Sequence, residues 1–137
     1  MTRSEVMARV RNKNTRPEMA VRRALWAAGL RFRLHSRALP GHPDLVFTSR
    51  RLVVFVHGCF WHGHQGCPRH RIPKSRTEWW AAKIARNMQR DAEVHGKLSA
   101  LGWVVLIAWE CQTEKPADLA ALIDRVAALP TGTVPPS

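Results

Sequence analysis

The amino-acid sequence predicts a small α/β domain built on a mixed sheet. Leu52-Val53-Val54-Phe55-Val56 is continuously apolar and largely β-branched, as a strand buried on both faces should be. Trp103 to Trp109 reads as a second buried strand. Between them Thr77 to Leu101 carries apolar residues at helical spacing, and a helical crossover favours parallel neighbours. A chain of 137 residues is one domain with a single modest core.

Taken in order, residues 1–14 are basic and polar and form an arm or short helix. Thr15-Arg16-Pro17-Glu18 has the form of a capping box. The Thr15 hydroxyl accepts from the Glu18 N–H, the carboxylate reaches back, and Pro17 sits in the first turn, where its missing N–H costs nothing. Met19, Val21, Ala24, Leu25 and Ala28 supply a helical stripe that Gly29 stops. Leu39-Pro40-Gly41-His42-Pro43 is a turn into a short strand, Leu45-Val46-Phe47, and Thr48–Arg51 turns back into the strand at 52–56. Residues 57–76 are irregular. On the helix that follows, Trp80, Ile84, Met88, Val94, Leu98 and Leu101 line one side, and Gly102 ends it. Leu119, Leu122, Ile123 and Val126 mark a last helix, so the domain spans 1–129 and the Pro-rich residues 130–137 are a flexible tail.

The charge is +12 in total and very unevenly placed. Residues 1–76 hold 16 Lys/Arg against three Asp/Glu, net +13; residues 77–137 hold six against seven, net −1. Such asymmetry points to a polyanionic partner gripped by the first half of the chain. The basic residues do not form one face of an amphipathic helix, which argues against a membrane surface. No apolar run approaches the roughly 20 residues needed to span a bilayer, and no apolar stretch follows the first residues. A cytoplasmic location is expected. Three cysteines, Cys59, Cys67 and Cys111, are an odd number, which in an intracellular chain argues against a disulfide framework.

Two constellations carry chemistry. Four of the seven histidines and two of the three cysteines fall between His57 and His70. Cys59, His64 and Cys67 have the close spacing of a metal loop. Zinc takes four nitrogen or sulfur ligands in a tetrahedron, and the fourth is either His70 or Cys111. Cys111 is preferred, because a thiolate at a neighbouring strand end would pin the loop to the sheet. Four protein ligands leave no open position, so such a zinc is structural. The second constellation is Pro43-Asp44 at the start of a strand, with the next strand ending beside His57. This is the layout of PD-(D/E)xK nucleases, in which an Asp and a second acceptor hold Mg²⁺. The usual second acid is replaced by Val56, leaving its main-chain carbonyl, and the usual lysine by His57 or His62.

Four blocks resemble, in order, the motifs of the Vsr (very short patch repair) DNA mismatch endonucleases. They are Leu39-Pro40-Gly41-His42-Pro43-Asp44, Phe55-Val56-His57-Gly58-Cys59-Phe60-Trp61-His62, Arg76-Thr77-Glu78-Trp79-Trp80, and the run Leu101 to Cys111. The resemblance implies a restriction-endonuclease-like fold with a structural zinc loop. It implies a nick in one strand at a T·G mismatch left by deamination of 5-methylcytosine. By position it makes Asp44 the principal Mg²⁺ ligand, aided by the Val56 carbonyl, and His62 the general base, a task suited to a side chain titrating near neutrality. His57 and Glu18 become accessory groups that orient water. Zinc falls to Cys59, His64, Cys67 and Cys111, with His70 the alternative histidine because the loop is one residue longer here than in some relatives.

Phe60 and Trp61 become a wedge beside the mismatch, with Met7 of the N-terminal arm on the opposite side. On an extended chain two adjacent aromatics face opposite ways and make an awkward core. Lys83 and Asn87, four apart on one helix face, become readers of guanine and adenine. The implied partner is mismatched double-stranded DNA bound by a monomer near the bacterial nucleoid, with mismatch-repair proteins and a cytosine-5 methyltransferase as further partners. The rival readings are a zinc-stabilised DNA-binding module without catalysis, and a different nuclease on the same fold.

Overall fold

A computed structural model describes residues 14–131, so the expected arm at 1–14 (all but Asn14) and Met7 lie outside the described residues, as does most of the tail. Its elements are α1 (Arg16–Ala27), β1 (Arg33–Leu34), β2 (Leu45–Phe47), β3 (Leu52–His57), α2 (Thr77–Ala100), β4 (Val104–Trp109) and α3 (Pro116–Ala127), with short 3₁₀ turns at Thr48–Arg50 and Glu110–Glu114. The four strands form one sheet in the order β1-β2-β3-β4. β1–β2 and β2–β3 are antiparallel, whereas β3 and β4 run parallel from Leu52 opposite Val104 to His57 opposite Trp109. The expected parallel pair joined by a helical crossover is therefore present, and the sheet is mixed.

The sheet is packed on both faces, which is why β3 reads as an unbroken apolar run. One face buries Leu45, Phe47, Leu52, Val54, Leu106 and Ala108 against Val21 and Leu25 of α1 and Leu122 and Val126 of α3. The other buries Val46, Val53, Phe55 and Trp103 against Leu98 of α2. Each such fully buried aliphatic side chain contributes about 1.5–3 kcal/mol from area removed from water.

Local departures from the sequence reading have simple causes. β4 is an edge strand among the described residues, and Val104 at its start is 41 % exposed. Val105, Ile107 and Trp109 on its second face are only half-buried, so the apolar run here marks one well-covered face and one partly covered one. Met88 and Leu101 of the predicted α2 stripe are exposed. The helix is 24 residues long and meets the sheet through Val94 and Leu98, which leaves Met88 beyond the contact, while Leu101 caps the helix outside it. The cap of α1 is half of the expected box. Thr15 Oγ1 accepts from the Glu18 N–H at 3.3 Å, but the Glu18 carboxylate turns to His35 Nε2 at 2.7 Å and Arg22 at 3.5 Å. The two-residue β1 escaped the sequence reading because Arg33 and Leu34 are both exposed and show no alternation.

Candidate active site and metal-binding loop

β2 and β3 place the first acid. Pro43, fully buried, anchors the entry to β2, and Asp44 follows it with Oδ2 accepting the Val56 N–H of β3 at 2.7 Å. Burial, with the Glu18 carboxylate adding repulsion and the Val56 bond opposing both, pushes the Asp44 carboxyl up to about 6. Glu18, 1 % exposed, reaches in from α1, and His35 from the residue after β1. Ligand atoms of Glu18, His35 and Asp44 all lie within 4.8 Å of one another.

The second group sits where β3 runs out. His57, the last residue of the strand, is buried, and that burial together with nearby His62 lowers its imidazole to about 3, so it is neutral. The His62 ring stacks on it, with centroids 3.8 Å apart and planes within 7°. His62 Nδ1 lies 2.6 Å from Asp91 Oδ2 of α2. Asp91 is burdened by partial burial, yet its bond to His62 and the neighbouring imidazoles hold it below the usual carboxylate range. A carboxylate on Nδ1 fixes the tautomer: Nδ1 carries the proton, and Nε2 keeps a lone pair that can accept another. His95, one turn beyond Asp91, lies 5.8 Å from His57, centroid to centroid. Both acid and imidazole groups line one open cleft of about 930 Å³ between α1, the 39–43 turn and α2.

The loop after β3 is coiled into tight turns. The His62 N–H donates to the Gly58 carbonyl at 3.1 Å and the His64 N–H to that of Cys59 at 3.0 Å. Gly63 takes φ +64° with its backbone against α2, where a Cβ would stand 2.6 Å from Met88 Sδ. This winding lets Phe60 and Trp61 join one cluster, which removes the objection that adjacent aromatics make an awkward core. Both rings pack on Trp80 of α2, at 5.4 and 5.9 Å, and edge-on to each other at 5.5 Å. Lys83 and Asn87 support the same cluster. Lys83 Nζ lies over the Trp61 ring at 5.7 Å and the Trp79 ring at 5.4 Å, and Asn87 Nδ2 donates to the Trp61 carbonyl at 3.1 Å.

Cys59, His64, Cys67 and Cys111 converge, their ligand atoms within 4.8 Å of one another; His70 is not in the set. The 3₁₀ turn after β4 delivers Cys111, whose N–H donates to Cys59 Sγ at 3.4 Å. His64 lies flat on Trp109, centroids 4.1 Å apart, and its Nδ1 is 3.5 Å from Cys111 Sγ. Burial pushes the Cys59 thiol up to about 12, with the neighbouring thiols adding to the rise. Three thiols and an imidazole, crowded together and tied to the sheet, are a donor set that suits a tetrahedral soft or borderline cation. Arg69 braces the loop from outside, 3.7 Å from Glu110 and paired with Glu114, while Glu110 accepts the Cys59 N–H at 3.3 Å.

A family profile described as DNA mismatch endonuclease Vsr matches residues 1–69. The chain is 53 % identical over 124 residues to the Type II nicking enzyme V.XorIIP of Xanthomonas oryzae pv. oryzae, covering 90 % of this chain and 88 % of the relative. The chain belongs to the Vsr family of DNA endonucleases. It is also 39 % identical over 124 residues to the Type II nicking enzyme V.NmeAIP of Neisseria meningitidis, covering 90 % and 88 % of the two chains. To the DNA mismatch endonuclease Vsr of Escherichia coli it is 44 % identical over 110 residues, covering 80 % and 70 %.

In this Vsr-family chain the structure brings together Asp44 with Glu18, and His57 with His62, and it gathers the four preferred zinc ligands. It adds three residues that the sequence reading passed over: His35, Asp91 and His95. Asn87, Asp91 and His95 recur at intervals of four, one face of α2, and that spacing was the available signal.

Proposed function

We propose that this chain nicks one strand of double-stranded DNA at a T·G mismatch left by deamination of 5-methylcytosine, initiating very short patch repair by Mg²⁺-dependent phosphodiester hydrolysis. The observation that carries the reading is the His62–Asp91 pair in the same cleft as Asp44 and Glu18. A pure DNA-binding module has no need of an imidazole whose tautomer is fixed by a carboxylate.

Asp44 and the Val56 main-chain carbonyl would hold Mg²⁺, with Glu18 orienting water beside it. The residues fit such an ion, because a buried carboxyl raised to about 6 next to a second carboxylate is a pair that a divalent cation neutralises. When bound, the ion supplies Lewis-acid polarisation of the scissile phosphate. His62 takes the proton of the attacking water on Nε2, Asp91 stabilises the imidazolium that forms, and neutral His57 holds the ring by stacking. In-line attack then expels the 3′ oxygen, leaving a 5′-phosphate and a 3′-hydroxyl.

Cys59, His64, Cys67 and Cys111 would hold a structural Zn²⁺ in a closed shell. The sheet with its zinc loop would be the restriction-endonuclease-like core of one domain over residues 1–129, with 1–14 a DNA-binding arm and 130–137 a flexible tail. Phe60 and Trp61, opposed by Met7, would leave Trp80 to enter the base stack, and Lys83 and Asn87, which border that cluster, would read neighbouring bases. A monomer suffices to cut one strand. Mismatch-repair proteins and a cytosine-5 methyltransferase are the partners this role would bring.

The deciding experiment compares duplexes differing only in T·G against C·G within a methyltransferase-type site, incubated with protein and Mg²⁺ and resolved on a denaturing gel. A single nick on the thymine strand is expected, lost in Asp44→Ala. Binding to both duplexes without a nick would leave only a DNA-binding module, and equal cutting of both would indicate a nuclease of different specificity.

A further inference from the structure

His35 follows the last residue of β1 and has φ +46°, a left-handed conformation that costs a branched or aromatic side chain free energy and recurs where structure over-determines it. From that position it does two things. Its backbone N–H donates to the Asp44 carbonyl at 2.9 Å. Its ring crosses to α1, where Nε2 donates to Glu18 Oε2 at 2.7 Å. Glu18 is 1 % exposed, and the one other partner of its carboxylate among the described residues, Arg22, stands off at 3.5 Å. β1 adds little to the core, with both its residues exposed. What the short strand does accomplish is to register Leu34 against Leu45 and so deliver His35 beside both carboxylates.

We propose that His35 is a positioning residue of the metal centre: by holding Oε2 of Glu18 while its own backbone is tied to Asp44, it fixes the spacing of the two carboxylates for a divalent cation. The inference rests on the reading of Asp44 and Glu18 as the Mg²⁺ site. Without the ring, Glu18 would swing to Arg22, its remaining partner, four residues along the same helix. The cation would then have to draw the carboxylate back before it could use it, and this appears as weaker metal binding, not as weaker DNA binding.

Two substitutions separate the ring's bond from the backbone's shape. Asn tolerates the left-handed conformation, but its short side chain cannot span to Glu18; Gln is long enough to restore an N–H donor. Mn²⁺ is titrated into the full, zinc-loaded chain and its free signal followed by electron paramagnetic resonance. Half-maximal Mg²⁺ for nicking of the T·G duplex, duplex affinity without Mg²⁺, and thermal melting are measured in parallel.

His35→Asn should weaken Mn²⁺ binding and raise the half-maximal Mg²⁺ by about tenfold, the usual scale for a lost partner behind a metal ligand. Duplex affinity without Mg²⁺ should stay near wild type, thermal melting should show both variants folded at the assay temperature, and His35→Gln should recover most of the metal affinity. Wild-type Mn²⁺ affinity in His35→Asn, or a His35→Gln as weak as His35→Asn, would overturn the role of the ring. A wild-type chain that binds no Mn²⁺ and makes no nick would instead overturn the metal site itself, and the inference with it.

Discussion

Asp44→Asn tests whether this cleft is built at the expense of stability. The wild-type carboxyl is raised from 3.8 to about 6, chiefly by burial. Two pKa units correspond to about 3 kcal/mol of penalty for ionising it in the folded, metal-free chain. Asp44 keeps partial contact with solvent in the open cleft, which reduces the realised penalty to about half. Asn has nearly the same shape, retains an oxygen for the Val56 N–H, and carries no charge.

The sign follows from linkage. The folded chain holds this proton more tightly than the unfolded chain, so the contribution of Asp44 to stability is fully present below about pH 4, is lost as the pH rises through about 6, and stays lost above it. Asp44→Asn should lack that decline and, near neutral pH in magnesium-free buffer, be more stable than wild type by about 1.5 kcal/mol. Mg²⁺ should stabilise the wild type and leave the variant unmoved, since only the carboxylate pays for its burial by binding the ion. Urea unfolding of both proteins across this pH range, zinc retained, with and without Mg²⁺, gives all four quantities. A variant less stable than wild type without Mg²⁺, or equal stabilisation of both by Mg²⁺, would refute the argument.

Two further outcomes follow from the same geometry. His62→Ala should lower the nicking rate by about 10²–10⁴-fold, the worth of a positioned general base, and Asp91→Asn by a smaller factor, while duplex binding by gel shift stays near wild type; a fully active His62→Ala chain would sink the mechanism. Cys67→Ser, or removal of the metal by a strong chelator, should lower the melting temperature by at least about 10 °C, with one Zn²⁺ per chain measured by atomic absorption in the wild type and a deficit in the variant. An unchanged melting temperature with a full Zn²⁺ complement would remove Cys67 from the ligand set.

The parts of the fold that a sequence discloses are those whose periodicity is set by burial. β3 is covered on both faces and α2 connects it to β4, so the unbroken run at 52–56 and the long helix after it were legible together with their parallel pairing. The same logic misread β4, because an apolar run is also what an edge strand looks like when one face is well covered. It missed β1, whose exposed residues carry no pattern at all. The convergence of the cysteines and His64 was legible because thiols and imidazoles at loop spacing have few other uses, and Cys111 joined them because it stands at a neighbouring strand end.

Polar partners of the site were harder for a different reason. Asp91 and His35 act on residues 29 and 17 positions away in the chain, and nothing local distinguishes them from solvated side chains. Glu18, placed in the site by the family resemblance alone, shows how a local motif masks a second task. Its place in a capping box gave a sufficient local account, yet its N–H serves the cap while its buried carboxylate serves the cleft. One position thus starts α1 and completes the site. The helix cap directs where the carboxylate emerges, and the bond to His35 satisfies a buried polar group that would cost free energy alone.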